Sequence, residues 1–223
     1  TGVLAGFILD TNIENVTVGN VVITAGGHVG GIAGMVNDSS ISNSTVFGQI
    51  TVNSDGFAAG GIAGITNGAK ISNNHSNVYI NNTTSYNYYI GGIVGQCFNS
   101  ELKYNFFENR LYAPTSDNSS TIGGITGYAG STTAENNYFR AGNIGTFVAF
   151  GGSSELETNG TTNGDISSNS ELSDAGFSSD IWDISSNSVR LKGITQIFDI
   201  ISAGTIEINN TSIQLSQGTI KNA

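Results

Sequence analysis

The sequence repeats a short glycine-rich motif five times, and this repeat restricts the possible folds more than any other feature. The motif reads GGIAG at residues 30–34 and 60–64, and related versions end at Gly6, Gly95 and Gly127. A second block, such as ISNSTV, begins seven residues after the last glycine of every copy. The copies follow one another at intervals of 28 to 32 residues. Each repeat therefore has a rigid part and a variable part that absorbs the differences in length.

Apolar residues recur at two fixed places in the rigid part. The first set lies inside the glycine cluster: Leu4, Ile32, Ile62, Ile93 and Ile125. The second set lies four places later: Ile8, Val36, Thr66, Cys97 and Ala129. An even offset puts both sets on the same face of a strand, which we expect to point inward. We therefore predict an all-β fold, a β-solenoid (parallel β-helix) of about five coils with a C-terminal cap and a short β tail.

The second block repeats asparagine in one column, at Asn15, Asn43, Asn73 and Asn136. Stacked asparagines can form hydrogen bonds from layer to layer, so we predict that this column forms a ladder.

The repeated glycines have a structural role in this scheme, because they permit tight corners and a close approach of neighbouring coils. The residues that define the repeat are Gly34, Gly64, Gly95, Gly127 and the isoleucines Ile32, Ile62, Ile93 and Ile125. The alternative is a phosphate-binding loop, which occurs once, between a strand and a helix, and carries a lysine or acidic residue downstream. Here the cluster repeats and no lysine adjoins it, which favours the structural interpretation.

The composition narrows the range of partners. Acidic residues outnumber basic ones by 17 to 7, and the net charge is -10. This balance argues against nucleic acid as a partner, since nucleic-acid binding needs clustered lysine and arginine. No apolar run reaches the roughly 18 residues that a membrane span needs, so we expect no membrane insertion. The single cysteine permits no internal disulfide.

The pattern divides the chain into three parts. Residues 1–150 contain the repeats and form the predicted solenoid. Residues 151–194 are predicted to be a turn-rich linker followed by a capping segment, in which Phe177, Ile181 and Trp182 cover the last coil. Residues 195–223 alternate again, and predict two short strands that pair either with their own solenoid or with a neighbouring subunit.

The stretches GGIAG…ISNSTV and GGIAG…ISNNHS resemble the GLUG motif, a repeat of large bacterial and archaeal surface proteins and adhesins. The resemblance covers about residues 1–150. The segment Glu171–Gly193 is similar to the one that often closes such arrays, but Val189 and Arg190 stand where a proline is usual. The resemblance implies an extracellular β-helical scaffold at the cell surface, and it supplies no catalytic residues. We expect no cofactor other than a calcium ion.

Few residues suggest catalysis or metal binding. Cys97 could be a nucleophile, but its inward column favours a buried apolar role. His28 and His75 have no ligand partners at zinc spacing, and Asp180 and Asp183 are expected to be solvated. Calcium remains a candidate because four aspartates lie in polar turns with hard oxygen ligands: Asp38, Asp55, Asp117 and Asp165.

Aromatic residues in and near the variable parts could fill the corners of the solenoid or stack on sugars. They are Tyr86, Tyr88, Tyr89, Tyr104, Phe106, Phe107, Tyr112, Tyr138 and Phe139. Sequons for N-glycosylation are frequent, and Asn37, Asn82 and Asn118 are the candidate sites because the pattern places them in turns or loops.

We expect an extracellular structural or adhesive module without enzymatic activity, which acts as a rigid spacer or a self-assembling, filament-forming subunit. Its partners would be copies of itself, neighbouring domains or glycans. The alternative is a carbohydrate- or host-binding adhesin domain. A polysaccharide-degrading β-helix enzyme is the third interpretation, and the seven scattered cations argue against it.

Overall fold

The computed structural model describes residues 1–53, 58–83, 89–112, 122–140, 149–158 and 163–193, and the backbone of three later strands. Apart from one short helix and one hairpin, the described residues before 194 form parallel strands joined by corners. Equivalent strands of successive repeats pair in register; for example, Met35 pairs with Phe7 and with Ile65. The chain is therefore a β-solenoid, as the repeat predicts.

Four stacks of strands surround the core. The first consists of Ala5–Leu9, Ala33–Asn37, Ala63–Asn67, Val94–Phe98, Thr126–Glu135 and Phe150–Glu157. The second consists of Asn12–Glu14, Ser40–Ser42, Lys70–Ser72 and Glu101–Lys103, followed by the far ends of the two long strands of the first stack. The third consists of Val16–Ala25, Thr45–Val52, His75–Asn82, Phe106–Phe107, Leu111–Tyr112, Tyr138–Phe139 and Gly164–Asp165. The fourth consists of His28–Gly30, Ala58–Gly60, Tyr89–Gly91 and Ile122–Gly123.

The solenoid makes about four turns, where the sequence predicts about five. The difference arises because five glycine clusters bound only four complete repeats, and the fourth stack accordingly contains four strands. The solenoid also continues past residue 150. Phe150–Glu157, which the sequence assigns to a linker, pairs in parallel with Thr126–Glu135 and adds a further strand.

The predicted inward columns form the core. Ile32, Ile62, Ile93 and Ile125 are completely buried, and so are the four later members of the second column, including Cys97. Ile8 is 5% exposed, and Leu4 is half-buried, because the first stack has no further strand beyond Ala5–Leu9.

The glycine clusters allow the coils to approach closely. A Cβ atom on Gly92 would lie 2.3 Å from Cγ of Phe107 and 2.2 Å from the carbonyl oxygen of Gly124 in the next coil. The equivalent Gly124 faces Phe139 at 2.3 Å in the same way. The inward side chain of the third stack therefore occupies the space beside this glycine, and a larger residue in its place must displace an aromatic ring and the backbone.

We expect Gly92→Ala to lower the free energy of unfolding by about 2 kcal/mol, as overpacked cores do. Gly6→Ala is the matched control, because a Cβ on Gly6 would meet no atom within 4 Å. Urea unfolding of both variants measures the difference. Equal stability of the two variants would show that the close approach of adjacent coils is not the reason for glycine at this position.

A hydrogen-bonded ladder does run through the core, but one residue beyond the predicted column. Asn15, Asn43, Asn73 and Asn136 have φ between 51° and 58°, so they turn the corner before the third stack. Asparagine adopts this left-handed conformation more easily than most residues do. The next residue of each coil then points inward, and these residues form the ladder: Ser44, Asn74, Asn105, Asn137 and Asn163.

Each middle rung of this ladder makes the same set of hydrogen bonds. Asn105 donates from Nδ2 to Oδ1 of Asn137 at 2.9 Å and to the carbonyl oxygen of Ile71 at 2.7 Å. Its Oδ1 accepts from the backbone N and the Nδ2 of Asn74, at 3.1 and 3.0 Å. Buried polar groups are thus paired in both directions along the axis, which fixes the register of adjacent coils.

Residues 166–193, which we call the strap, lie along the outside of the third stack. The strap contains the helix Ser170–Asp174 and an antiparallel hairpin of Trp182–Ile184 and Val189–Leu191. Its apolar side chains pack against outward residues of the third stack in a second cluster: Phe106, Tyr138, Ile166, Leu172, Phe177, Trp182 and Val189. The sequence predicts that this segment covers the last coil. Instead it covers the side of the solenoid, because the outward positions of the third stack are aromatic.

The backbone beyond the strap forms three strands. Gln196–Ser202 pairs in parallel with Val16–Ala25, the third-stack strand of the first coil. Thr205–Ile208 and Thr211–Gln214 follow as antiparallel neighbours. The two short strands predicted for the tail are confirmed, and Asn209 and Asn210 between them lie outside the described residues. Within this single chain the tail pairs with its own first coil.

Candidate binding groove on the outer face of the third stack

A groove of about 780 Å³ lies between the third stack and the strap hairpin. Residues 187–191 of the hairpin form one wall. The floor and opposite wall are formed by outward side chains of four successive coils: Thr17, Thr45, Phe47, His75, Asn77 and Glu108. The volume falls within the range of about 300 to 1,000 Å³ that is typical of small-ligand sites.

The register of the solenoid puts these side chains in two rows. His75 pairs with Thr45, and Asn77 pairs with Phe47, so each pair lies at the same place in adjacent coils. The backbone N–H of Glu108 donates to the carbonyl oxygen of Ser76 at 2.9 Å, which places Glu108 beside Asn77. The rows therefore present one side chain about every 4.8 Å along the axis.

Glu108 is held by two basic side chains. Nε2 of His75 lies 3.0 Å from one carboxylate oxygen, and the guanidinium of Arg140 lies 3.6 Å from the other. Arg140 also donates to Oδ1 of Asn169 in the strap at 2.5 Å and lies over the ring of Phe106, at 5.6 Å from its centroid. This network joins three coils to the strap, and it fixes the carboxylate in the groove.

The imidazole of His75 is confined by two aromatic rings. It stacks on Phe106 at 5.6 Å between ring centroids and meets Trp182 edge-on at 6.3 Å. A histidine bonded to a carboxylate resembles two parts of a hydrolytic triad. However, no hydrogen bond joins His75 to a serine, threonine or cysteine side chain in the part of the chain that the structure describes. The contacts with His75 and Arg140 hold Glu108 in place in the groove.

Cys97 lies in the core, where the sequence predicts it. Oγ1 of Thr66 donates to its sulfur at 3.1 Å, and burial raises the pKa of the thiol. A buried thiol with a raised pKa carries little thiolate and is a poor nucleophile.

The other candidate residues do not assemble into a site. Burial lowers the pKa of His28, which lies in the fourth stack and far from His75 in the sequence. Asp180 and Asp183 are exposed on the strap, and Asp183 faces Arg190 at 3.5 Å. No group of three or more histidine, cysteine or acidic side chains in the described ranges could hold a metal ion. Asp38 and Asp165 are exposed there, whereas Asp55 and Asp117 lie outside those ranges.

The three candidate glycosylation sites differ in access. Asn82 is only 2% exposed at the end of the strand His75–Asn82, so the folded chain offers no room for a glycan there. The sequence prediction of a turn at Asn82 is wrong, because the strand extends two residues into the variable part. Asn37 is half-buried at the end of its strand, and Asn118 lies outside the described residues.

Sequence reasoning also left out the two residues that define the groove, Phe47 and Glu108. The aromatic residues that it did select have several roles. Phe107 and Phe139 fill the core, and Phe106 and Tyr138 lie beneath the strap. Tyr86 and Tyr88 lie outside the described residues. Strand parity was the available signal for Phe47, because it lies one residue after the inward Val46 and must point outward.

In the described portion of the chain, no helix has the length and apolar character needed to cross a bilayer. No family model matches the sequence, and no curated protein matches it. The resemblance to the GLUG motif therefore depends on the repeated residues alone.

Proposed function

We propose that this chain is an extracellular structural and adhesive module of the GLUG type, without catalytic activity, that acts as a rigid spacer or a self-assembling surface subunit. The observation that supports it most directly is the ladder of asparagine side chains that runs from Asn74 to Asn163. Buried, paired amides in adjacent coils resist slippage and bending of the stack. The six strands of the first stack would span about 24 Å at the usual spacing between strands.

The tail supports self-assembly in this proposal. Gln196–Ser202 occupies the edge of the first coil with the parallel register that another coil would use. The tail of a neighbouring subunit could make the same pairing by strand addition. Because such a contact joins two different surfaces, it does not close into a dimer and instead produces a filament.

Truncation after Gly193 tests this part of the proposal. We expect the truncated protein to lose assembly, measured by light scattering and electron microscopy, and to keep its β-rich circular dichroism spectrum. The full-length chain at the same concentration is the control. Polymerisation of the truncated protein would contradict a role of the tail in assembly.

A second function is favoured by the groove. A carbohydrate- or host-binding adhesin domain needs a concave site with an aromatic platform and oriented polar groups. The groove combines these in Phe47 and Glu108.

A further inference from the structure

We propose that the groove binds a neutral carbohydrate chain, with Phe47 as the stacking platform and with Asn77 and Glu108 as the groups that bind its hydroxyls. This inference deepens the second function proposed above and does not depend on self-assembly. It concerns the site beside residues 187–191 of the strap, which run along the groove as its second wall.

Phe47 supplies an apolar surface where a ligand can reach it. Its side chain is 36% exposed on an outer strand face, although Phe106 and Tyr138 on the same stack are covered by the strap. A sugar ring has an apolar face of C–H groups that packs on an aromatic ring, while its hydroxyls remain at the edge. An aromatic floor with a few oriented polar groups is the usual composition of a small-ligand site.

Asn77 and Glu108 supply a donor and an acceptor in adjacent coils. Oδ1 of Asn77 accepts from Nδ2 of Asn109 at 2.8 Å, which orients the amide. Among the described residues its Nδ2 makes no hydrogen bond, so this donor group is available to a ligand. Each carboxylate oxygen of Glu108 can accept about two hydrogen bonds, so it can bind a hydroxyl in addition to His75 or Arg140. A donor and an acceptor on strands about 4.8 Å apart suit the hydroxyls of a sugar, which both donate and accept.

The charges of the site favour a neutral ligand. Glu108 is balanced by Arg140, and Arg190 in the hairpin faces Asp183 at 3.5 Å. The whole chain carries a net charge of -10, which repels uronate chains and other polyanions. A neutral oligosaccharide is not repelled by this charge.

The single tryptophan of the chain reports on this site, because Trp182 contacts His75, which lines the groove. The experiment titrates the full-length, isotope-labelled protein with mannopentaose, cellopentaose, laminaripentaose and chitopentaose, and follows the indole N–H signal of Trp182. Trigalacturonate is the acidic probe, and an unstructured heptapeptide pool tests the groove as a peptide site. We expect at least one neutral sugar to shift the signal with a Kd below about 1 mM.

Phe47→Ala is expected to weaken that binding by about tenfold, the size expected for loss of an aromatic contact. Glu108→Gln should weaken it while leaving the stack folded. Phe7→Ala is the matched control, because Phe7 is another exposed phenylalanine, on the first stack, and it should leave the Kd within about twofold. Electron microscopy of Phe47→Ala should show the same assembly as wild type, which separates this inference from self-assembly.

Four results would overturn the inference. They are no shift with any neutral sugar, an unchanged Kd in Phe47→Ala, tighter binding of trigalacturonate, or binding of the peptide pool in place of the sugars.

Discussion

Ile62→Asp is expected to lower the free energy of unfolding by about 3 to 5 kcal/mol, the cost of an unpaired buried charge. Ile62 is completely buried in a column between Ile32 and Ile93. Ile62 lies in a cluster of buried apolar side chains, so the new carboxylate would have no basic partner there. Because the column runs through every coil, we expect the whole stack to lose cooperativity. Thermal and urea unfolding measure the effect.

Ile65→Asp is the matched control for this substitution. Ile65 lies three residues later, in the strand Ala63–Asn67, where its side chain is outward and half-buried. An aspartate there can reach water, so the loss should stay below about 1 kcal/mol. If Ile62→Asp unfolded at the same temperature as wild type, the inward assignment of this column would be wrong.

Asn74→Ala is expected to cost about 3 kcal/mol, because it leaves two buried groups without partners at about 1 to 3 kcal/mol each. Oδ1 of Asn74 accepts from the backbone N–H of Ser44 at 3.1 Å, and its Nδ2 donates to the carbonyl oxygen of Ile41 at 2.9 Å. Both partners lie in the preceding coil, so the substitution cuts the connection between coils. Hydrogen exchange of the Ser44 amide, compared with wild type, should show the loss locally.

The adjacent Asn73 provides the control. Its φ of 53° lies in the left-handed region, which glycine adopts without cost, and it belongs to the corner and not to the ladder. Asn73→Gly should therefore change stability by no more than about 0.5 kcal/mol. If Asn73→Gly lost more stability than Asn74→Ala, the column of Asn73 and not that of Asn74 would form the ladder.

Periodicity made the core of this fold predictable. Ile32 and Val36 lie four residues apart, and the equivalent residues of every other copy have the same spacing. Because the spacing is even, both side chains lie on the same face of the strand. The interval of about 30 residues then required that equivalent residues stack. Both columns follow from these two facts, and the burial of Cys97 follows with them.

The ladder was misplaced because two neighbouring columns are both rich in asparagine. Asn73 is selected for its backbone conformation and Asn74 for its hydrogen bonds, and the residue type is the same. One coil distinguishes the two columns, because it has Tyr104 at the corner and Asn105 on the ladder. Only the position that keeps asparagine in this coil can carry the amide ladder.

The groove depends on packing between distant parts of the chain. Phe47 and the hairpin wall at residues 187–191 are about 140 residues apart, and no local pattern joins them. The sideways position of the strap follows from the outward Phe106 and Tyr138, which form an apolar surface on the third stack. The extra strand Phe150–Glu157 was hidden because its sequence, FGGSSELE, has few apolar residues to mark an inward face.

Electron microscopy of the purified full-length chain tests the structural role most directly. If the solenoid is a self-assembling subunit, increasing the protein concentration should produce filaments with their strands perpendicular to the filament axis. Such filaments should give a meridional spacing of about 4.8 Å. A full-length protein that stays monomeric at every concentration and in every salt tested would contradict self-assembly and leave only the role of a rigid spacer.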